Sequence, residues 1–176
     1  LARFLKNADP VAVNVSLDGG GVVRDTPLAV SIGGRPIASA AATLAQVKGA
    51  PGESVGIDFS IDPGSIVRVS AAELIAGKVD PALIANRQVV IGASAVELRD
   101  FFVVPRYGIV PGAVLQILAA ETLKQGRGLV PLGPWPALLA LLLIAGAGLA
   151  GRRRVPVALT IGAAAALAVA IEIAAS

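Results

Sequence analysis

The chain has no cysteine and no histidine among its 176 residues. Without a thiol or an imidazole it can form neither a cysteine nucleophile, nor a zinc site of Cys and His ligands, nor a triad with histidine as the base. The lack of cysteine leaves the compartment open, because a domain of this size can be stable outside the cell without disulfides. We therefore expect no catalytic residue, no metal site and no cofactor.

Methionine is also missing, and the chain begins at Leu1. Translation starts at methionine, so this start predicts a sequence truncated at its N-terminus, with an upstream signal or anchor segment lost. Such a segment would have been the first indicator of how the chain is oriented in a membrane.

Two motifs of enzymes and nucleotide-binding proteins are incomplete in this sequence. Gly92-Ala93-Ser94 has the start of a nucleophile elbow, but the final glycine of that motif is missing and no histidine can serve as its base. Residues 19–21 are glycines that lead into extended sequence and not into a phosphate-binding helix. Both serine hydrolase activity and nucleotide binding are therefore disfavoured.

Positive charge is concentrated near the C-terminus. Residues 1–134 carry 12 Lys and Arg and 11 Asp and Glu, so most of the net charge of +3 comes from Arg152, Arg153 and Arg154. A domain with balanced charge lacks the basic face of a nucleic-acid-binding protein, so we expect no nucleic-acid partner.

Two long apolar segments flank this arginine triplet. Residues 135–151 and 155–175 predict two transmembrane helices in a lipid bilayer, since a span needs roughly 17 or more apolar residues. Basic loops stay on the cytoplasmic side, which makes residues 152–154 a cytoplasmic loop and residues 1–134 an extracytoplasmic domain. The first segment is short, and a pair of buried helices in a soluble core is the alternative.

Local patterns within residues 1–134 predict a single α/β domain with a mixed sheet flanked by helices. Apolar or β-branched runs predict strands at residues 11–15, 22–25, 28–32, 55–61, 66–69, 88–92 and 101–104. Gly33-Gly34 closes a hairpin-like unit. Helices are predicted over residues 37–47, 70–77, 80–86 and 113–125.

Three of these segments carry specific signals. The continuous apolar run of residues 88–92 suits a strand buried on both faces, which implies helices on two sides of the sheet. Pro111-Gly112 precedes an amphipathic helix that Gly126 ends. Ser70 and Glu73 have the spacing of a capping box at the start of their short helix.

Polar residues follow the predicted strand at residues 88–92, at the end of a strand where α/β folds place their ligands. Ser94, Arg99, Asp100 and Arg106 are therefore the candidate ligand-binding residues. The alternative is that Asp100 pairs locally with Arg99, Arg106 or backbone amides and holds no ligand.

An ordered set of short motifs resembles the type-2 CHASE domain, the cyclase- and histidine-kinase-associated sensory extracellular module of bacteria. The motifs are Asp18-Gly19 with Gly21-Val22-Val23-Arg24, Ser70-Ala71-Ala72-Glu73-Leu74, Gln88-Val89-Val90-Ile91-Gly92-Ala93-Ser94-Ala95, Asp100 with Pro105, Pro111-Gly112 and Gly126-Arg127. The resemblance implies an extracytoplasmic sensor in a bacterial inner (plasma) membrane. It also implies that the sensor controls a cytoplasmic nucleotide cyclase, histidine kinase or Ser/Thr kinase in cis.

The chain departs from the layout that this resemblance implies. A leading helix, about three following spans and an output domain are expected, whereas the sequence has two predicted spans and no output domain. Many members have a histidine in the helix after Pro-Gly, where this chain has Gln116. The family's ligands are largely unknown, so the resemblance assigns no binding residue, although such receptors commonly work as homodimers.

We interpret the chain as the extracytoplasmic sensor and membrane-anchor region of a bacterial receptor that responds to an unknown external signal. A change in the helix at residues 113–125 would pass through the Pro-rich turn to the first span. Two alternatives stay open, a membrane transport or assembly component with an external α/β domain and an extracellular enzyme. The enzyme would need acid–base groups gathered in one pocket, and the sequence offers only scattered carboxylates.

Overall fold

The computed structural model describes residues 6–130, residues 135–150 and residue 162. The chain divides into two compact units, Leu1–Leu129 and Val130–Ser176. The predicted loop at residues 152–154 and, apart from one residue, the predicted second span at residues 155–175 lie outside the described residues.

Among residues 6–129, six short strands pair two by two, always antiparallel. β1 (Asp25–Pro27) pairs with β4 (Ser54–Gly56), β2 (Ala29–Ile32) with β3 (Arg35–Ala38), and β5 (Phe101–Val104) with β6 (Gly108–Pro111). Gly33 and Gly34 form the turn between β2 and β3 at φ angles of 58° and 76°. Positive φ at both positions is what a tight two-residue hairpin loop requires, and glycine adopts it at no steric cost. The predicted hairpin-like unit is confirmed.

Single β-bridges extend two of these pairs. Val22 forms a parallel bridge with Val103 of β5, and Gly56 at the end of β4 forms an antiparallel bridge with Leu129. The amide of Ile57 also donates to the carbonyl of Arg24 at 2.9 Å, which continues the β1–β4 pairing. These bridges connect the strand pairs at single points, and each sheet in the described part of the chain stays two-stranded. The α/β class is confirmed, with small sheets in place of the single mixed sheet that we expected.

A central helix, α3 (Gly112–Lys124), packs against these strands. Pro111, at φ −63°, precedes its first turn, and Gly126, at φ 63°, follows its last. Proline before the helix has no N–H that would need a partner, and glycine after it adopts a positive φ without steric cost. The helix predicted after Pro111-Gly112 is confirmed, with Gly126 at its end.

The hydrophobic core lies between α3 and the strands. Its buried members from the strands and their flanks are Val23, Ile57, Phe59, Val104 and Val110, and those from α3 are Val114, Leu115, Leu118, Ala119 and Ala120. A short helix, α1 (Ala40–Ala45), packs against α3 through small residues that allow close approach. The Ser39 hydroxyl caps α1 by accepting from the amide of Ala42 at 3.1 Å. We predicted this helix from residue 37, but Ile37 and Ala38 belong to β3.

The predicted buried strand at residues 88–92 is wrong. These residues form no strand, and Ile91 is 93% exposed. The segment instead runs beside α3, because Lys124 donates to the Gln88 side chain at 2.9 Å while Gly92 lies against Ala113 near the other end of the helix. An apolar run shows that a segment can be buried as a strand, but it does not supply the neighbouring strands. The prediction of helices on two sides of a sheet depended on this strand, and it loses its support with the strand.

Other local predictions are wrong or are confirmed only in part. Residues 66–69 form no strand, residues 11–15 contribute only the bridge of Ala12 to Ser39, and the strand predicted at residues 55–61 shortens to β4. A short helix, α2 (Ala71–Ile75), follows Ser70, but the Ser70 side chain makes no capping hydrogen bond. Asp80 does cap a single 3-10 turn, Pro81–Leu83.

The second unit contains helix α4 (Trp135–Ala150), which is 16 residues long. It coincides with the first predicted span, and its leucines from Leu138 to Leu143 are exposed. Among residues 6–130, 135–150 and 162, none of the helices combines the length and the apolar character needed to cross a membrane. The two transmembrane helices are therefore not confirmed.

Candidate functional site

The four residues predicted to bind a ligand lie at different places around β5. Asp100 directly precedes the strand and Arg106 lies in the turn that follows it. Because the 4 residues of β5 each rise by about 3.3 Å, the backbones of Asp100 and Arg106 lie at opposite ends of this strand. Ser94 and Arg99 are exposed in the irregular segment before it. Ligand binding by these four residues stays a prediction.

Asp100 has a structural environment of its own at the start of α3. Its carbonyl oxygen accepts from the Gly112 amide at 2.9 Å. Its carboxylate packs so close to Gly112 that a Cβ at this position would lie 2.6 Å from Oδ2. A carboxylate beside the first turn of a helix interacts favourably with the positive end of the helix dipole. Among the described residues the structure records no ion pair or hydrogen bond from this carboxylate to Arg99, Arg106 or a backbone amide, so the alternative of local pairing also stays a prediction.

The structure gathers polar side chains around a different carboxylate, Asp58. Its Oδ1 accepts from the Ser60 amide at 2.8 Å, and its Oδ2 lies 2.7 Å from Nη2 of Arg127. The same Nη2 donates to the Ser60 hydroxyl at 2.8 Å. The side chain of Asp58 is only 12% exposed, whereas that of Arg127 is 48% exposed. The pair therefore lies at the edge of the core, with the guanidinium on the solvent side.

Local chain geometry positions both partners of this pair. Asp58 follows the buried Ile57, and its amide donates to the Thr122 hydroxyl at 3.1 Å. That hydroxyl donates in turn to the carbonyl of Leu118 at 2.9 Å. Arg127 comes directly after Gly126, whose positive φ turns the chain back from the end of α3. The last turn of α3 thus fixes the place where Asp58 meets Arg127.

One of the four predicted residues, Arg106, lies in a turn that contacts the segment after Asp58. The Tyr107 hydroxyl donates to the carbonyl of Ile61 at 3.1 Å, which ties the β5–β6 turn to the segment after Asp58. The Arg106 guanidinium stacks over the Tyr107 ring, 5.6 Å from its centroid. At this distance a cation is attracted by the negative face of the ring. The turn that carries Arg106 is thus tied to the segment that follows Asp58.

The Asp58 carboxyl has a perturbed acidity. Burial raises the pKa of this carboxyl, but hydrogen bonds from Ser60 and the charges of Arg127 and Arg106 outweigh burial, and the net pKa lies below its usual value. The ionised carboxylate is thus the form that the folded protein favours. Asp58 carries no local signal in the sequence, and Arg127 stands out only as part of the Gly126-Arg127 motif, so the pairing of two residues so far apart in the chain was not predicted.

The ion pair lies next to the point where the chain leaves the first unit. Leu129 exchanges both backbone hydrogen bonds with Gly56, each 3.0 Å long. The backbones approach so closely that a Cβ on Gly56 would lie 2.7 Å from the Leu129 carbonyl oxygen. We call the Asp58–Arg127 pair together with the Gly56–Leu129 bridge the exit latch. It fastens residues 127–129 to β4 by one charged and two backbone contacts.

Acid should weaken the domain partly through Asp58. Because the folded-state pKa of this carboxyl is lowered, its contribution to stability is full above the unfolded value of about 3.9 and is lost as the pH falls through the folded value. We therefore expect Asp58→Asn to show a smaller drop in urea midpoint than the native chain when the pH is lowered from 7 to below 4. Asp9→Asn, a change at an exposed position, is the control. An equal acid dependence in native and Asp58→Asn chains would contradict this role.

Comparison with known proteins gives one match. A family model described as the CHASE2 domain matches residues 6–151. The matched region includes Asp58, Arg106 and Arg127, both sides of the exit latch, and the whole of α4. No curated protein and no solved structure matches the chain.

Proposed function

Because the chain belongs to the CHASE2 domain family, which is sensory and extracellular, we propose that it is the sensor and membrane-anchor region of a bacterial transmembrane receptor. The receptor lies in the inner (plasma) membrane with residues 1–134 outside the cytoplasm. It controls an output domain in cis, which is a nucleotide cyclase, a histidine kinase or a Ser/Thr kinase. The family match over residues 6–151 is the observation that carries this proposal. The family is sensory and not catalytic, so the chain's role is to detect and transmit a signal.

The exit latch supports a route for that signal. It joins the last turn of α3, the segment after β4 and residues 127–129, which precede the apolar helix α4 in the chain. A ligand that shifts α3 or the segment after β4 changes the geometry of the latch. The ion pair and the backbone bridge of the latch are each either made or broken. A small shift at the sensor can therefore become a defined change in the segment that follows.

The nucleotide sequence beyond Ser176 tests the proposed output. A cyclase or kinase domain encoded downstream would support the receptor. Several further apolar spans with no output domain would contradict it and favour the rival function, a membrane transport or assembly component with an external α/β domain.

Loosening the latch should alter the output of the receptor. Arg127→Gln removes the charge that holds Asp58, and Gly56→Ala pushes a methyl group against the Leu129 carbonyl. We expect both variants to change cyclase or kinase activity of the full-length receptor in the same direction, by about fivefold or more, as typical coupling energies predict.

Arg35→Gln supplies the matched control, because Arg35 is an exposed residue of β3 outside the latch. Its output should equal that of the native receptor. Native activity in both latch variants, with the proteins folded and present at equal amounts in membranes, would rule out the latch as the route of the signal.

A further inference from the structure

The hairpin of β5 and β6 has one face in the core and one face toward solvent. Val104 and Val110 are 3% and 5% exposed and belong to the core. Because successive side chains of a strand point to opposite faces, Val103 and Ile109 point away from the core. They are 44% and 69% exposed. The outer side of the hairpin therefore presents two large apolar side chains to solvent.

The strand register joins these two side chains to a larger patch. Val103 lies directly opposite Ile109, and Phe101 lies opposite Pro111 on the same face of the hairpin. Val22 forms its bridge with Val103 and so lies beside it on the other side. We call Val22, Phe101, Val103, Ile109 and Pro111 the open face. Its members are neighbours across three segments of chain, so they form a continuous patch and not scattered apolar residues.

An ion pair borders the open face. Asp18 accepts from the Val22 amide at 2.9 Å, and its other carboxylate oxygen lies 2.7 Å from Nε of Arg24. The side chains of Asp18 and Arg24 are 32% and 63% exposed. An apolar patch with a polar rim is the arrangement of protein–protein contacts. We infer that the open face is a contact surface between two copies of this chain in the same membrane.

The small size of the open face favours a second copy over a freely diffusing partner. The open face has five apolar residues, whereas a stable interface has about 20–30 residues a side. A contact this small forms only with a partner that is already held nearby. Two copies anchored in one membrane meet this condition, because confinement raises their effective concentration. This step rests on the membrane anchor of the proposed function.

The open face is also suited to pairing with itself. In a twofold contact the same residues approach from both sides, so a single-sign patch would repel its copy. The centre of the open face is uncharged, and its rim carries one acid and one base, Asp18 and Arg24. Two such faces can pack as sheets do, about 10 Å apart with their apolar side chains between them.

A contact at the open face would act directly on α3. β6 ends at Pro111, and α3 begins at the next residue, Gly112. The last turn of the same helix holds the Asp58 side of the exit latch through Thr122. Making or breaking the contact therefore bears on the helix that leads to the latch.

The lack of cysteine in the chain allows this contact to be tested by crosslinking without background. The whole 176-residue chain with Ile109→Cys is placed in bacterial membranes and treated with a bismaleimide that spans about 10 Å, the separation of packed sheets. Ile109 is the most exposed residue of the open face. The control is Ile32→Cys, since Ile32 is an equally apolar residue of the β2–β3 hairpin and is 56% exposed. We expect about tenfold more crosslinked dimer from Ile109→Cys.

A charge in the centre of the open face should separate the two copies. Val103→Asp, added to Ile109→Cys, should lower the dimer yield about tenfold, because two like charges then meet across the contact. Ser31→Asp in the same background places a charge on an exposed residue of β2 and should leave the yield unchanged. Equal yields from Ile109→Cys and Ile32→Cys, or an undiminished yield with Val103→Asp, would overturn the inference.

The outcomes separate this inference from the proposed function. A chain found in the membrane fraction that gives no crosslink at Ile109→Cys would overturn the contact and leave the receptor standing. A chain absent from the membrane fraction would contradict the proposed anchor and, with it, the inference. A crosslink that Val103→Asp abolishes, with native output from the full-length Val103→Asp receptor, would retain the contact and contradict its action on the signal.

Discussion

Replacing Leu118 by alanine is expected to lower the free energy of unfolding of the first unit by about 2–5 kcal/mol. Leu118 is 0% exposed and lies on the face of α3 that packs against the strands. The truncation removes buried methyl groups and leaves a cavity that the other side chains of the core cluster fill only in part. Small domains have about 5–15 kcal/mol of total stability, so this single change can approach unfolding. Urea denaturation followed by circular dichroism measures the loss.

The matched leucine for this comparison is Leu98, which is 65% exposed. Leu98→Ala deletes the same atoms from a side chain that water already contacts, and we expect a change within about 0.5 kcal/mol. Similar losses in the two variants would mean that Leu118 does not lie in the centre of the core.

Gly112→Ala is expected to cost about 1–3 kcal/mol, even though alanine is the better helix former. The added methyl group would lie 2.6 Å from Oδ2 of Asp100, so either the carboxylate or the start of α3 must move. The same change in an Asp100→Ala background should cost less, because the obstructing carboxylate is gone. The difference between the two costs in a double-mutant cycle is the measure of this contact.

Gly19→Ala is the control for the glycine substitution. Nothing lies within 4 Å of a Cβ at Gly19. The stability of this variant should therefore stay close to that of the native chain. If the penalty of Gly112→Ala persists unchanged without the Asp100 carboxylate, the close approach of these two residues is not its cause.

Local sequence signals account for the elements that the sequence predicted well. Pro111 and Gly126 delimit α3, Gly33-Gly34 forms a hairpin turn, and residues 101–104 form β5. In each case the conformation depends on a proline, a glycine or a β-branched run within a few residues. Such local conformational preferences do not depend on the rest of the fold.

Predictions that required distant partners were less successful. The run at residues 88–92 has the composition of a buried strand, yet such a run forms a strand only where other strands lie beside it. The pairing of Asp58 with Arg127 was missed for the same reason, since the two residues meet only when the end of α3 brings them together. Asp100 was selected from the sequence because it follows a predicted strand. Its closeness to Gly112 depends on the fold and could not be predicted from the sequence.

The chain has one tyrosine and one tryptophan, and they fall in different units. Tyr107 lies under Arg106 and bonds Ile61 beside the exit latch, whereas Trp135 begins α4. Ultraviolet difference spectra of the tyrosine thus report on the neighbourhood of the latch, and tryptophan emission reports on the start of the apolar helix. Each unit thus carries one native spectroscopic probe, and changes in the first unit and in α4 can be followed separately with no label attached.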